Sequence, residues 1–250
     1  MLNDFKTLRV TEDGHILHVQ IDRPAECNSI TRQVLDELQA VLTALEEDRN
    51  IRVMVLSGAG DHFSAGGDRA EFAPLLSKDP SGRALRSLGL KAQRVCENLA
   101  RLQVVSIARL QGDVIGAGLG LAAFCHIRIG ADNCRFLMPE LALGVPPAWG
   151  GVLPRLIAEA GHARVRYHLL TSRAFDSATA KEMSLLQEIV PLDELDTAVA
   201  RCAKLMARRN PAVVEMTVTM MNACQDYPRG SYDADLMTSA ATRRAFSRSR

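Results

Sequence analysis

Two glycine-rich turns, His62-Phe63-Ser64-Ala65-Gly66-Gly67-Asp68 and Gly112-Asp113-Val114-Ile115-Gly116-Ala117-Gly118-Leu119-Gly120, each follow an apolar, strand-like run and each lead into a helical pattern. This repetition constrains the chain more than any other feature. A helix that starts at such a turn leaves its first N–H groups without partners in the helix, and glycine lets the backbone close on a ligand. Two such turns can hold one developing oxyanion between them, which predicts chemistry on a carbonyl compound.

The flanking segments agree with a strand-turn-helix repeat. His15-Ile16-Leu17-His18-Val19-Gln20-Ile21 alternates apolar and polar residues like a half-buried strand, and Pro24 ends it. Val34, Leu35, Leu38, Val41, Leu42 and Leu45 recur at helical spacing, with Ser29 or Thr31 placed as N-cap. Val53-Met54-Val55-Leu56 is a continuous apolar run, as in a strand buried on both faces. Asp68 and Glu71 have the spacing of a capping box, so Asp68 is also a candidate helix cap. A stripe from Leu85 through Leu88, Ala92, Val95 and Leu99 to Leu102 predicts a helix over 83–102, followed by a buried strand at 104–108, a short helix at 119–124 and a strand at 126–129. Beyond Gly151 the patterns are almost wholly helical, notably over 193–208 and 211–224. The expected organisation is an α/β part, 1–190, packed against a helical part, 191–250, with Pro191 at the boundary.

Composition narrows the function. With 250 residues and 47% hydrophobic content the chain can bury a sizeable core, and 30 Lys+Arg against 29 Asp+Glu gives no bulk attraction to nucleic acid or an anionic membrane. Six cysteines show neither C-x-x-C spacing nor the density of a secreted disulfide scaffold, so reduced thiols are expected. The N-terminus lacks the pattern of a signal peptide and no apolar run reaches membrane-spanning length, which places the expectation in the cytoplasm. Gly116-x-Gly118 lacks the third glycine of a dinucleotide fingerprint, with Leu121 in its place. Phosphate-loop, nucleophile-elbow and zinc-helix motifs are absent, the six histidines are scattered, and no ligand spacing indicates a metal or redox cofactor. One carboxylate stands out: Glu140, in Phe136-Leu137-Met138-Pro139-Glu140-Leu141-Ala142-Leu143-Gly144, has apolar neighbours on both sides. Partial burial would raise its pKa toward the range useful for proton transfer near neutrality.

Taken in order, Phe63-Ser64-Ala65-Gly66-Gly67-Asp68, Gln111-Gly112-x-x-x-Gly116-Ala117-Gly118, Phe136-x-Met138-Pro139-Glu140-x-x-x-Gly144 and Gly150-Gly151-x-Leu153-Pro154-Arg155-Leu156 resemble the enoyl-CoA hydratase/isomerase, or crotonase, family. The resemblance runs from near Ile16 to near Arg208. It implies an α/β fold of the crotonase-like (ClpP/crotonase) type, a spiral of β-β-α units followed by a helical region that builds a homotrimer or a dimer of trimers. It implies an acyl-CoA or acyl-carrier thioester as substrate, with coenzyme A as part of that substrate and no separate cofactor. Gly67 and Ala117 would supply the two oxyanion-holding N–H groups, a role that tolerates alanine because only the backbone donates. Ser64, Ala65 and Gly66 would border the adenine, Arg23 the phosphates, and Asp68, Gly116 and Pro139 would complete the pocket.

Two departures from the family pattern bear on the reaction. Hydratases of this family carry two glutamates; Glu140 matches one, but the other position is Gly120, which cannot hold or deprotonate water. Single-glutamate members of similar pattern include enoyl-CoA isomerases, so proton transfer through a thioester enolate leads the expectations. Hydration by Glu140 alone and a catalytically silent thioester-binding protein remain as alternatives. The single tryptophan, Trp149, lies just beyond Glu140 and by the same resemblance borders the acyl pocket. The chain also ends in an arginine-rich stretch, with Arg243, Arg244, Arg248 and Arg250, in place of the last helix of many members.

Overall fold

The structure is a computed structural model that describes residues 5–79 and 81–223. β1 (Leu8–Asp13) and β2 (Ile16–Ile21) form a hairpin. β1 was not expected from its sequence. It is an edge strand with mostly exposed side chains, held by its pairing with β2 rather than by an apolar pattern of its own. α1 (Arg32–Glu47) starts at Thr31, whose side chain accepts a hydrogen bond from the N–H of Val34, and it buries the predicted stripe. β3 (Val53–Gly58) is buried throughout, and α2 (Arg69–Lys78) begins at the Asp68 cap. α3 (Arg83–Arg101) packs against α1 and leads into β4 (Val105–Leu110), β5 (Asp113–Ile115), α4 (Ala117–Phe124), β6 (Ile127–Ala131) and β7 (Arg135–Leu137).

The remaining elements are α5 (Val152–Ala160), α6 (His162–Thr171), β8 (Phe175–Asp176), α7 (Ser177–Glu182), β9 (Glu188–Val190), α8 (Leu195–Ala207) and α9 (Pro211–Ala223). The sequence reading of this half as almost wholly helical therefore needs correction. β9 adds a parallel edge strand to β6, with Ile129 opposite Glu188, and β8 pairs antiparallel with β7. Strands of two or three residues are too short to show a period, so only their partners specify them.

A six-stranded sheet has the order β1-β2-β3-β4-β6-β9, parallel except for the first pair, and β5, β7 and β8 form a smaller second sheet. The chain alternates between them. β4 lies in the large sheet, β5 in the small one, and α4 follows; β6 and β7 repeat the step. The first glycine turn belongs to the same series, because Ser64 bridges Val114 of β5 after β3 and before α2. This is the expected spiral of β-β-α units, and it stacks the two glycine turns on one another. α8 packs on β2, β3, β4 and β6, where Arg109 meets Asp196 and the Arg52 guanidinium donates to the Ala207 carbonyl at 2.9 Å. The arginine-rich end of the chain and Cys224 lie outside the described residues. Among the described residues, no helix is long and apolar enough to cross a membrane, and the cysteines form no disulfide.

Candidate active site

The first turn is fastened from below by polar side chains. Asn28, fully buried and left-handed at φ 54°, donates to the carbonyls of Ala59 and His62 at 2.7 Å each and accepts from the N–H of Arg23 at 3.0 Å. Ser64 is also fully buried. Its hydroxyl donates to the Asn28 carbonyl at 2.8 Å and accepts from the Gly66 N–H at 3.2 Å, while the Ala65 N–H donates to the Cys27 carbonyl at 2.9 Å. Ile30 then forms a parallel bridge at Gly67, donating to the Gly66 carbonyl at 2.7 Å and accepting from the Asp68 N–H at 3.0 Å. In this pattern the N–H of Gly67 itself points away from Ile30, and it has no acceptor among the described residues. A methyl group on Gly67 would lie 2.2 Å from the Phe72 ring, so a side chain there would require that ring to move.

Asp68 caps α2 by accepting from the Glu71 N–H at 3.1 Å, and it also accepts from the Ser29 hydroxyl at 2.8 Å and from the Arg23 guanidinium at 3.3 Å. Burial pushes its carboxyl pKa up, but the bonds from Ser29, Glu71 and Arg23 outweigh that and hold it below its ordinary value. The Arg23 guanidinium donates as well to the Ser29 carbonyl and hydroxyl, at 2.7 and 2.9 Å. Both charged residues thus serve as braces of the first turn.

The second turn is built by close packing. Gly116, at φ +50°, turns the chain into α4, and the Ala117 N–H, at the first position of that helix, has no acceptor among the described residues. The turns touch directly: a methyl group on Gly66 would lie 2.8 Å from the Ile115 carbonyl oxygen and 3.5 Å from the Ala117 nitrogen, and one on Gly118 would lie 2.7 Å from the Ser64 Cβ. Two unused donors, of Gly67 and Ala117, therefore belong to adjoining backbone segments. At the other end of α4, Arg128 and Arg155 donate to the Ala123 carbonyl and Arg128 to that of Cys125, and both pair with Glu159. Cations at a helix C-terminus complement its dipole and fix the helix in place. His126 beside them is kept neutral, its pKa pushed down to about 4 by burial and then by Arg155 and Arg128. It is a structural histidine, with Nδ1 accepting from the Ser106 N–H at 3.0 Å.

Glu140 lies at the mouth of the second turn, its Oε1 3.5 Å from where a methyl group on Gly116 would sit, with Pro139 alongside at 3.6 Å. Its Oε2 is buried with no hydrogen-bond partner among the described residues, and burial raises its pKa above the ordinary carboxylate value. Its own backbone N–H bonds the carboxyl and offsets part of that rise, and a buried carboxyl with its other oxygen left over is poised to exchange a proton with something else. One helical turn along α4, Trp149 and Val152 cover Gly120: a methyl group there would lie 2.5 Å from Val152 Cγ2 and 2.9 Å from Trp149 Cζ3. The volume that a side chain at 120 would need is already occupied. The Trp149 indole N–H is itself buried without a partner among the described residues.

Sequence reasoning did not single out Asn28, Phe72 or Val152, and it named Gln111 only as the start of the second motif, without the role of its amide, which donates to the carbonyls of Gly58 and Gly60 at 3.0 Å. An asparagine in a polar stretch after a proline was a usable signal for Asn28, because asparagine tolerates the left-handed region. The other contacts are made across the fold. Among the described residues no cluster of three or more His, Cys, Asp or Glu side chains could hold a metal ion.

The family model described as enoyl-CoA hydratase/isomerase matches residues 11–245, and the chain belongs to that family. Its fold is the crotonase fold. It is 29% identical over 218 residues to the protein named probable enoyl-CoA hydratase in Mycobacterium tuberculosis, covering 87% of this chain and 82% of that one. It is 27% identical to the peroxisomal Delta(3,5)-Delta(2,4)-dienoyl-CoA isomerase of Arabidopsis thaliana, over 88% and 83% of the two chains. The solved structure of AtuE from Pseudomonas aeruginosa superposes with a TM-score of 0.84 at 27% identity, covering 98% of this chain and 92% of that one.

Proposed function

We propose that this protein moves the double bond of an enoyl thioester by proton transfer through Glu140. The Glu140 carboxylate takes a proton from the carbon next to the thioester carbonyl of a 3-enoyl substrate. Charge then spreads to the thioester oxygen, where the N–H groups of Gly67 and Ala117 receive it. The Glu140 carboxyl, now protonated, returns the proton at the far end of the allyl system, and the double bond ends conjugated with the carbonyl. Proton and charge balance within the substrate and Glu140. The only coenzyme in this scheme is the coenzyme A or carrier-bound pantetheine carried by the substrate, with Ser64, Ala65, Gly66 and Arg23 on its side of the pocket and Asp68, Gly116, Pro139 and Trp149 shaping the rest.

The observation that carries this reading over hydration is at Gly120, where Trp149 and Val152 fill the space of a second carboxylate. Without it, position 120 offers no second group to hold a water against the substrate. Assembly as a trimer fits the exposed apolar side chains of α9, Val213, Met216, Met220 and Met221. The deciding experiment is incubation with a panel of 2-enoyl- and 3-enoyl-CoA esters in deuterated water, followed by mass spectrometry. The expected product is an isomer that has gained no water, carrying deuterium only to the extent that the Glu140 carboxyl exchanges its proton with solvent before returning it. A product heavier by one water assigns hydration instead, and binding with no turnover across the panel assigns a silent thioester-binding protein.

A further inference from the structure

α1 and α3 pack side by side, and the groove between them, of about 540 Å³, carries a charge that no part of the site above uses. Arg32, Arg83, Arg86, Lys91 and Arg94 line it against a single carboxylate, Asp36, and Asp36 is already ion-paired with Lys91. Arg32, Arg83 and Arg94 have no carboxylate partner among the described residues. In a chain whose formal charge is only +1, this is a concentrated local excess.

The arrangement works against the helix that bears it. Arg83 and Arg86, and again Lys91 and Arg94, stand three residues apart, where like charges repel. Arg83 and Arg86 also sit in the first turns of α3, at the positive end of its dipole, with no acidic residue in the first turn and only Gly82 as cap. Asp79 offsets part of this by accepting from the Ala84 N–H at 2.8 Å. Burial, Arg32 and Arg94 push the Lys91 pKa down, a sign that positive charge is crowded there. None of Gly67, Ala117, Glu140 and Trp149 lines the groove.

We infer that this groove binds a small polyanion carrying two or more linked phosphate groups, at a site separate from the acyl-thioester pocket. Arginine forks pair with phosphate oxygens in two-pronged fashion, which a single carboxylate ligand could satisfy only once. The volume falls within the range of small-ligand sites. A free nucleoside di- or triphosphate and an inorganic phosphate chain share this chemistry.

The test is calorimetric titration of the full chain with sodium tripolyphosphate, ATP and inorganic phosphate, at low and at raised salt. Tripolyphosphate and ATP are expected to bind at one site per chain, more weakly as salt rises, and inorganic phosphate far more weakly than either. ATP binding tighter than tripolyphosphate assigns a nucleotide; equal affinity assigns the phosphate chain alone. Arg83→Ala and Arg94→Ala should each weaken binding about tenfold, while Arg166→Glu, exposed on α6, should leave it unchanged. Circular dichroism of each variant separates lost binding from lost folding. The inference is overturned if tripolyphosphate does not bind, or if it binds the two alanine variants, whose residues line the groove and not the acyl-thioester pocket, as well as the unchanged chain.

Discussion

The two glycine turns present equivalent N–H donors but are held in place by different forces. The first is a polar construction, in which Asn28, Ser64 and the Arg23–Asp68–Ser29 cluster bond its backbone from beneath. The second is a steric construction: α4 is buried at every residue, Gly118 rests on Ser64, and Gly120 lies under Trp149 and Val152. Hydrogen bonds fix direction but tolerate small changes of volume, whereas close packing fixes position and tolerates none. The oxyanion site proposed above would rest on both.

The largest expected effect lies where the steric turn meets the chemistry. Glu140→Gln keeps the shape of the side chain and removes its proton transfer, so turnover should fall by about 10²–10⁴-fold with thioester affinity retained. The same substitution should stabilise the protein at neutral pH. The folded pKa of Glu140 is raised, so the native state holds this proton more tightly than the unfolded chain, and stability declines as pH rises from the ordinary glutamate value through the raised one. The melting temperature of Glu140→Gln should exceed that of the unchanged chain at neutral pH and converge with it in acid. In the unchanged chain, turnover should rise with pH through the raised pKa, as a base requires. Full activity in the glutamine variant would remove Glu140 from the reaction.

Breaking each turn in its own way comes next. Gly118→Val would drive a branched side chain against Ser64, whose Cβ and carbonyl oxygen would lie 2.7 and 2.9 Å from the first carbon added. The expected cost is more than about 3 kcal/mol in denaturant unfolding, because the neighbour is backbone that cannot move aside. Asn28→Ala should cost about 2–3 kcal/mol by orphaning the Ala59 and His62 carbonyls. Asn28→Gly should cost about 1 kcal/mol less, since glycine accepts the left-handed backbone without strain. Equal losses for alanine and glycine would show that the φ of 54° contributes nothing.

The same contrast explains what the sequence made legible. The steric turn could be read in outline, because glycines in a fixed order and an apolar helix are local features, and so were the stripes of α1 and α3, the all-buried run of β3 and the mostly buried run of β4. The burial of Glu140 was legible from its apolar neighbours. The polar turn was legible only in part: the Asp68–Glu71 cap could be read from spacing, but the bonds that tie Ser64, Asp68 and Arg23 to Asn28 and Ser29 could not. Partners up to 45 residues apart leave no periodic trace. β5, β7, β8 and β9 escaped for the related reason that two or three residues acquire strand identity only from the neighbour they pair with.

The smallest effect is the most specific to the steric turn. Gly120→Ala adds one carbon where Val152 and Trp149 leave 2.5 and 2.9 Å, and should cost about 1–3 kcal/mol although alanine is the better helix former. In a Trp149→Ala background the indole is gone and Val152 has room to turn, so the same addition should cost less than about 1 kcal/mol. The resulting coupling, about 1–2 kcal/mol, is read from a double-mutant cycle by denaturant unfolding. If Gly120→Ala costs as much with Trp149 absent as with it present, Trp149 does not close position 120, and the case against a second carboxylate falls with it. The polar turn offers no such relief: with Asn28 removed, deleting Ser64 as well leaves further backbone groups unpaired, because a lost volume can be refilled by a neighbour but a lost donor cannot.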